Sequence, residues 1–263
     1  MNRLPVAKTS KLYIGGAFVR SESGRTYEVQ GANVALASRT DVRDAVRTAR
    51  GAIDGWAGLT AYNRGQVLYR IAEMLESRRS EFAGFGDEAE VGAAIDRWIW
   101  YAGWSDKLAQ VVGSSNPVAG PYFNFTVPEP VGVVGVVAPE DPALDGLVAR
   151  LAPVLVGGNS VVVAASEHHP LAAVTLAEVL ATSDVPAGVV NILTGRKADL
   201  ALELASHLDV NALDLAGADG DTVELERLAA DNVKRVVRNG EGQSPWHAAA
   251  YLELKTVWHP IGV

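Results

Sequence analysis

The run Pro130-Val131-Gly132-Val133-Val134-Gly135-Val136-Val137-Ala138-Pro139 decides the fold. Near-continuous valine leaves no polar face, so a strand built from it must be buried on both sides. Branching at Cβ stiffens χ1 and favours a pleated sheet over a helix. The run 131–137 is too short to span a bilayer. Downstream, helices are expected over 142–156 (closed by Gly157-Gly158), 170–182, 198–207 and 222–230. Between and after them fall strands at 160–163, 188–193, 210–215 and 233–237. Strict alternation implies right-handed crossovers and a doubly wound, Rossmann-like parallel sheet of the α/β class. Such a sheet binds ligands beyond the carboxyl ends of its strands.

Upstream the pattern is helical. Residues 11–18 read as a strand and tight turn around Gly15-Gly16. Helices are expected at 41–56, with Asp41 as cap, at 63–82 and at 93–111. The last carries Trp98, Trp100, Tyr101 and Trp104, which read as interhelical core rather than a ligand box. The acidic stretch Asp87-Glu88-Glu90 and the segment 240–245 read as loops, and 252–258 alternates as a strand ending in His259-Pro260.

Composition narrows the chemistry. Of 263 residues, 48% are hydrophobic and 21% charged, which is ordinary globular usage. A net charge of −8 argues against nucleic acid or an acidic membrane as partner. The N-terminal Met1-Asn2-Arg3-Leu4-Pro5 offers no apolar secretory core, so the expected address is cytoplasmic. No cysteine is present, which excludes disulfides, thiolate metal sites and a cysteine nucleophile in this chain. No two of the histidines 168, 169, 207, 247 and 259 stand at metal-ligand spacing on one helix, so no metal is expected. Ser114-Ser115 has no evident His–Asp partner for nucleophilic chemistry.

Three ordered blocks carry a family resemblance. They are the segment 128–139, the segment 151–163 and Pro186-Ala187-Gly188-Val189-Val190-Asn191-Ile192-Leu193-Thr194-Gly195. Together with Leu12-Tyr13-Ile14-Gly15-Gly16 and Leu254-Lys255-Thr256-Val257-Trp258, they closely resemble the aldehyde dehydrogenase superfamily over nearly the whole chain. The resemblance implies a first part at 1–120, an oligomerisation-arm strand at 121–130, the Rossmann-like part at 131–245 and a C-terminal arm strand at 246–263. It places cofactor-contacting positions at Ala138, Pro139, Ala164, Ser166, Glu167, Gly195, Gly217 and Ala218.

The departures from the family carry as much as the matches. Its reaction needs a thiolate to capture the aldehyde carbon. Beyond Gln243-Ser244-Pro245 the family continues into the domain that carries this cysteine, whereas the present chain passes within a few residues to the arm strand. The family's Trp-Asn pair, whose Asn side chain helps hold the oxyanion, is replaced by Glu140-Asp141, and a carboxylate would repel a developing oxyanion. The ribose-contacting lysine becomes Ala164, the hydroxyls beside the pyrophosphate become Ala216 and Ala218, and the general-base position falls on Asn239. A slip in register would instead offer Glu241. Glu167 survives and could meet a ribose 2′-hydroxyl.

The resulting expectation is a non-catalytic structural or regulatory subunit. It would pair through strands 122–128 and 251–258 with a full-length aldehyde dehydrogenase or with itself, and hold NAD(P) weakly or not at all. The alternatives are a nucleotide sensor, or an oxidoreductase active only when a partner supplies the thiol.

Overall fold

The computed structural model describes residues 8–220, 222–240 and 242–262. Its strands are β1 Thr9–Ser10, β2 Leu12–Ile14, β3 Ala17–Val19, β4 Thr26–Val29, β5 Ala32–Ala35, β6 Ser114–Asn116 and β7 Tyr122–Pro130. There follow β8 Val133–Val137, β9 Ser160–Ala164, β10 Val190–Leu193, β11 Ala212–Asp214, β12 Arg235–Val237 and β13 Leu252–Pro260. The helices are α1 Arg39–Ala57, α2 Ala61–Ser77, α3 Glu88–Trp104, α4 Leu108–Val112 and α5 Asp145–Val156. After them come α6 Pro170–Leu180, α7 Lys197–Ser206, α8 Val223–Ala230 and α9 Pro245–Ala249.

The main sheet has the order β12-β11-β8-β9-β10-β2-β3. Its five Rossmann-like strands are parallel, as expected. The β2–β3 hairpin adds two antiparallel strands at one edge, turning through Gly15 and Gly16 at φ 63° and 79°. Only glycine enters that left-handed region without a Cβ penalty.

Alternation along each strand sorts side chains between two cores. Val134 and Val136 face the layer of α2, α3, α5 and α6, and Val133 and Val137 face the layer of α1, α7 and α8. All four are at most 1% exposed, so both faces of β8 are sealed. Each such burial contributes roughly 1.5–3 kcal/mol. Trp98 and Tyr101 are fully buried in the first layer, so the aromatic stripe of α3 is core.

Several sequence expectations require correction. The helix expected from 142 begins at Asp145, because the Glu90 carboxylate accepts from the amides of Leu144 and Asp145 at 2.7 and 3.2 Å and caps the helix there. Glu90 therefore does not lie in a loop: Asp87 caps α3 and Glu88–Glu90 form its first turn. Ser38, not Asp41, is the cap of α1, with Asp41 as the reciprocal arm of a capping box. The single helix read over 63–82 is α2 plus a 3₁₀ turn at Arg79–Phe82, and that over 93–111 divides into α3 and α4. Pro245, placed in the expected loop at 240–245, instead opens α9. The structure adds a small sheet of β1, β4 and β5 that the sequence pattern does not signal.

The arm is a separate three-stranded sheet, β13-β7-β6. Strands β7 and β13 pair antiparallel over their full length, from Leu252↔Pro130 to Pro260↔Tyr122. The tail leading into β13 is stitched to the domain. Tyr251 is fully buried, its carbonyl accepts from Val131 and Asn159, and Arg235 donates to the carbonyls of Ala250 and Leu252.

Candidate functional site

The sheet order places a switch point between β8 and β11, so the crevice lies beyond their carboxyl ends. There the chain builds an ion cluster around Lys197, the first residue of α7. Its side chain is only 7% exposed. The ammonium lies 2.5 Å from Glu140 Oε1 and 2.6 Å from Asp219 Oδ2, and donates to the Gly217 carbonyl at 3.2 Å. Glu140 sits in the loop after β8 and is itself the hub of a donor set. Ser166 Oγ donates to its Oε2 at 2.5 Å, the His168 amide at 3.1 Å, and the Glu167 amide donates to Oε1 at 3.3 Å.

Burial pushes the Glu140 carboxyl up, but donation from Lys197, Ser166 and the His168 amide outweighs it and holds the group at about 2. Glu140 is therefore a fixed anion at neutral pH and not a proton donor. A depressed folded-state pKa stabilises above the unfolded value and is lost as pH falls through the folded one. We expect this contribution, about 1–2 kcal/mol after discounting for solvent screening, to be complete above the ordinary 4.5 and to vanish toward pH 2. Chemical denaturation of the wild type and Glu140→Gln across that range checks it: the two stabilities should converge on acidification, and parallel curves would refute the assignment.

Most of the sequence-derived positions meet here. Ala138 donates its amide to the Ala164 carbonyl at 2.9 Å, joining the ends of β8 and β9. Ser166 also accepts from the His169 amide, at 2.8 Å. Glu167 accepts from the Lys197 amide at 2.9 Å, capping α7. Ala218 lines a cavity of about 220 Å³ between α7 and α8, together with Val137, Ala201, Leu225, Lys197 and Asp219. Gly217 packs against Pro139, where a Cβ would fall 2.2 Å from the Pro139 nitrogen. Gly195 lies two residues before α7, and its missing Cβ faces Ala37 and Leu36 in the connection before α1.

The two degenerate catalytic positions behave differently. Asp141 is 82% exposed, with His169 Nε2 at 3.6 Å. Asn239 is structural: its side chain donates to the His247 carbonyl, and its own carbonyl accepts from Arg150 at 2.6 Å. Glu241 lies outside the described residues. Sequence reasoning missed Glu140 as an anchor, and missed Lys197 and Asp219 altogether. It also missed Tyr27, whose phenol is pushed up by burial and then by the neighbouring Glu167 and Glu140 carboxylates.

A second buried group lies behind the crevice. Tyr251 Oη donates to Asp214 Oδ2 at 2.6 Å, and Arg150 lies 3.8 Å from the same oxygen. Arg150 also donates to the Gly240 carbonyl at 2.8 Å. Burial raises the Asp214 carboxyl despite these partners, and burial together with that neighbouring carboxylate raises the Tyr251 phenol well above its ordinary value, so Tyr251 stays a donor.

A doubly wound sheet with a crevice at its switch point and a projecting arm defines a nucleotide-cofactor type of α/β domain. The chain belongs to the aldehyde dehydrogenase family, whose profile matches residues 23–259. Relatives include the human cytosolic 10-formyltetrahydrofolate dehydrogenase, 32% identical over 271 residues, covering 93% of this chain and 30% of that one. Human retinal dehydrogenase 2 is 31% identical over 261 residues, covering 90% and 50%. Among solved structures, the NAD+ complex of an aldehyde dehydrogenase from Bacillus cereus is 27% identical with a TM-score of 0.80, covering 87% of this chain and 50% of that one. HpcC from Thermus thermophilus is 29% identical with a TM-score of 0.81, covering 87% and 47%. The chain thus spans about half the length, or less, of the proteins it resembles.

The donors at the crevice are engaged within the chain. An anionic pyrophosphate needs free donors, and those gathered here already serve the Glu140 carboxylate. Asp219 adds a further negative charge against Lys197. Among the described residues no helix is long and apolar enough to cross a membrane.

Proposed function

We propose that this chain is a non-catalytic member of the aldehyde dehydrogenase family. In this reading it is a structural or regulatory subunit that docks through its arm sheet onto a full-length aldehyde dehydrogenase or a second copy of itself. The arm carries the reading. Among the described residues, the outer edge of β13 pairs with no strand. Tyr122, Phe123, Val127, Leu254, Val257 and Trp258 are exposed along the arm, at 41–58%. An unpaired edge beside clustered apolar side chains is a template for another chain. The absence of cysteine supports the non-catalytic half of the reading, because no thiolate can form the covalent intermediate.

Affinity capture with a tagged full-length aldehyde dehydrogenase, alongside size-exclusion chromatography of the chain alone, tests the docking. A heteromer or a homo-oligomer is expected, weakened at least tenfold by Leu254→Glu together with Val257→Glu. A strictly monomeric chain that ignores the full-length enzyme refutes it. Incubation of the chain alone with aldehyde and NAD should leave absorbance flat, and turnover would overturn the non-catalytic assignment.

A further inference from the structure

The Glu140 carboxylate is held as a bound anion would be. Two successive backbone amides, a hydroxyl and an ammonium converge on it. Ser166 is 3% exposed, and the side chains of Lys197 and Glu140 are 7% and 16% exposed. Convergent amides with a lysine and a hydroxyl form the kind of cradle that binds phosphate oxygens. Glu140 reaches this cradle from a different strand end, across 26 residues of sequence from Ser166. Beside the cradle, and sharing Lys197 with it, lies the cavity of about 220 Å³ between α7 and α8. Its apolar walls, Val137, Ala201, Ala218 and Leu225, suit a flat heterocycle. A slot for a ring next to a cradle for an anion is a nucleotide site in outline, and one glutamate occupies the anionic half.

We propose that Glu140 is an internal anion that excludes nucleotides from this crevice, and that it is the residue deciding between exclusion and binding. Its carboxylate does so twice over, by taking the donors and by placing a negative charge where a phosphate would sit. The group stays ionised far below neutral pH, so proton uptake does not release it under ordinary conditions. Removing the carboxylate frees Ser166 Oγ and the amides of Glu167 and His168, and leaves Lys197 with Asp219 as its acidic partner among the described residues. The inference concerns the crevice alone and holds whether or not the arm docks.

Calorimetry with NAD, ADP and inorganic pyrophosphate on the wild type and Glu140→Ala tests it. The wild type should show no binding at millimolar ligand. Glu140→Ala should bind ADP and NAD at least tenfold more tightly, a gain of about 1.4 kcal/mol or more, and adding Lys197→Met should abolish the gain. Pyrophosphate reports on the cradle without the slot and should follow the same order more weakly. Circular dichroism and thermal unfolding establish that each variant is folded. Should Glu140→Ala not fold, Glu140→Gln keeps the shape and removes the charge, and a tenfold gain is still expected from it. Equal nucleotide binding by wild type and variant, a folded variant that binds none, or a gain that survives loss of Lys197 each overturns the proposal.

Discussion

Alanine at position 214 is expected to lower stability by about 3–5 kcal/mol, because removing one member of a buried charged group leaves the others desolvated without compensation. Asp214 is fully buried and Arg150 is 4% exposed. The Asp214 carboxylate accepts from the Tyr251 hydroxyl and from the Ala216 amide at 2.9 Å, and faces Arg150. Arg150 would keep its two carbonyl acceptors, yet lose the only carboxylate paired with it among the described residues. Tyr251 would keep a buried hydroxyl with no acceptor. For a chain of this size the loss corresponds to a fall in Tm of roughly 10 °C.

Two milder variants apportion the effect. Tyr251→Phe removes one hydrogen bond and is expected to cost about 1–2 kcal/mol. Asp214→Asn keeps an acceptor for Tyr251 while removing the charge, and should fall between the other two. A melting temperature for Asp214→Ala within a few degrees of wild type would show that this group is not holding the tail. The tail matters because Tyr251 immediately precedes β13, so the group connects the sheet interior to the arm. Arm association should therefore weaken in Asp214→Ala even where the domain remains folded.

How far the molecule can be read from its residues depends on the range of the interactions. The buried parallel strands are legible because a valine run such as 133–137 states its environment locally. Their two-sided sorting into cores follows from alternation alone. The start of α5 is not legible, since nothing near Pro142 reveals that Glu90, 54 residues away in sequence, caps the helix from α3. The small sheet of β4 and β5 escapes for another reason: TYEV and ANVA are short and mixed in polarity. At the site, Glu140 was visible only as a departure from the family pattern. Its partner Lys197 looks like any lysine opening a helix. The pairing comes from tertiary structure, which sets the ends of β8, β9 and β10 side by side. Gly217 is a different case: the family pattern places it among the cofactor-contacting positions, while the packing that admits no Cβ there is set by the Val137–Pro139 backbone and is visible only in three dimensions.

Substitution of Gly217 carries the other large effect. A Cβ on Gly217 would lie 2.2 Å from the Pro139 nitrogen, 2.3 Å from the Ala138 carbonyl carbon and 2.5 Å from the Val137 oxygen. All three are backbone atoms, so no side-chain rotation can make room. Relief requires the β11–α8 connection and the end of β8 to separate, yet the Asp214↔Val136 pairing fixes one to the other. Overpacking usually costs about 1–3 kcal/mol. With the β8 end as an unyielding backbone neighbour, Gly217→Ala is expected at or above the upper end, near 3 kcal/mol, with a Tm lower by roughly 6–12 °C. Equilibrium denaturation without any nucleotide present is the deciding measurement. If the glycine existed to admit a ligand, the substitution would leave the ligand-free stability unchanged. Loss of stability in that state instead assigns Gly217 to the joint between two strand ends, where the backbones touch and no side chain fits.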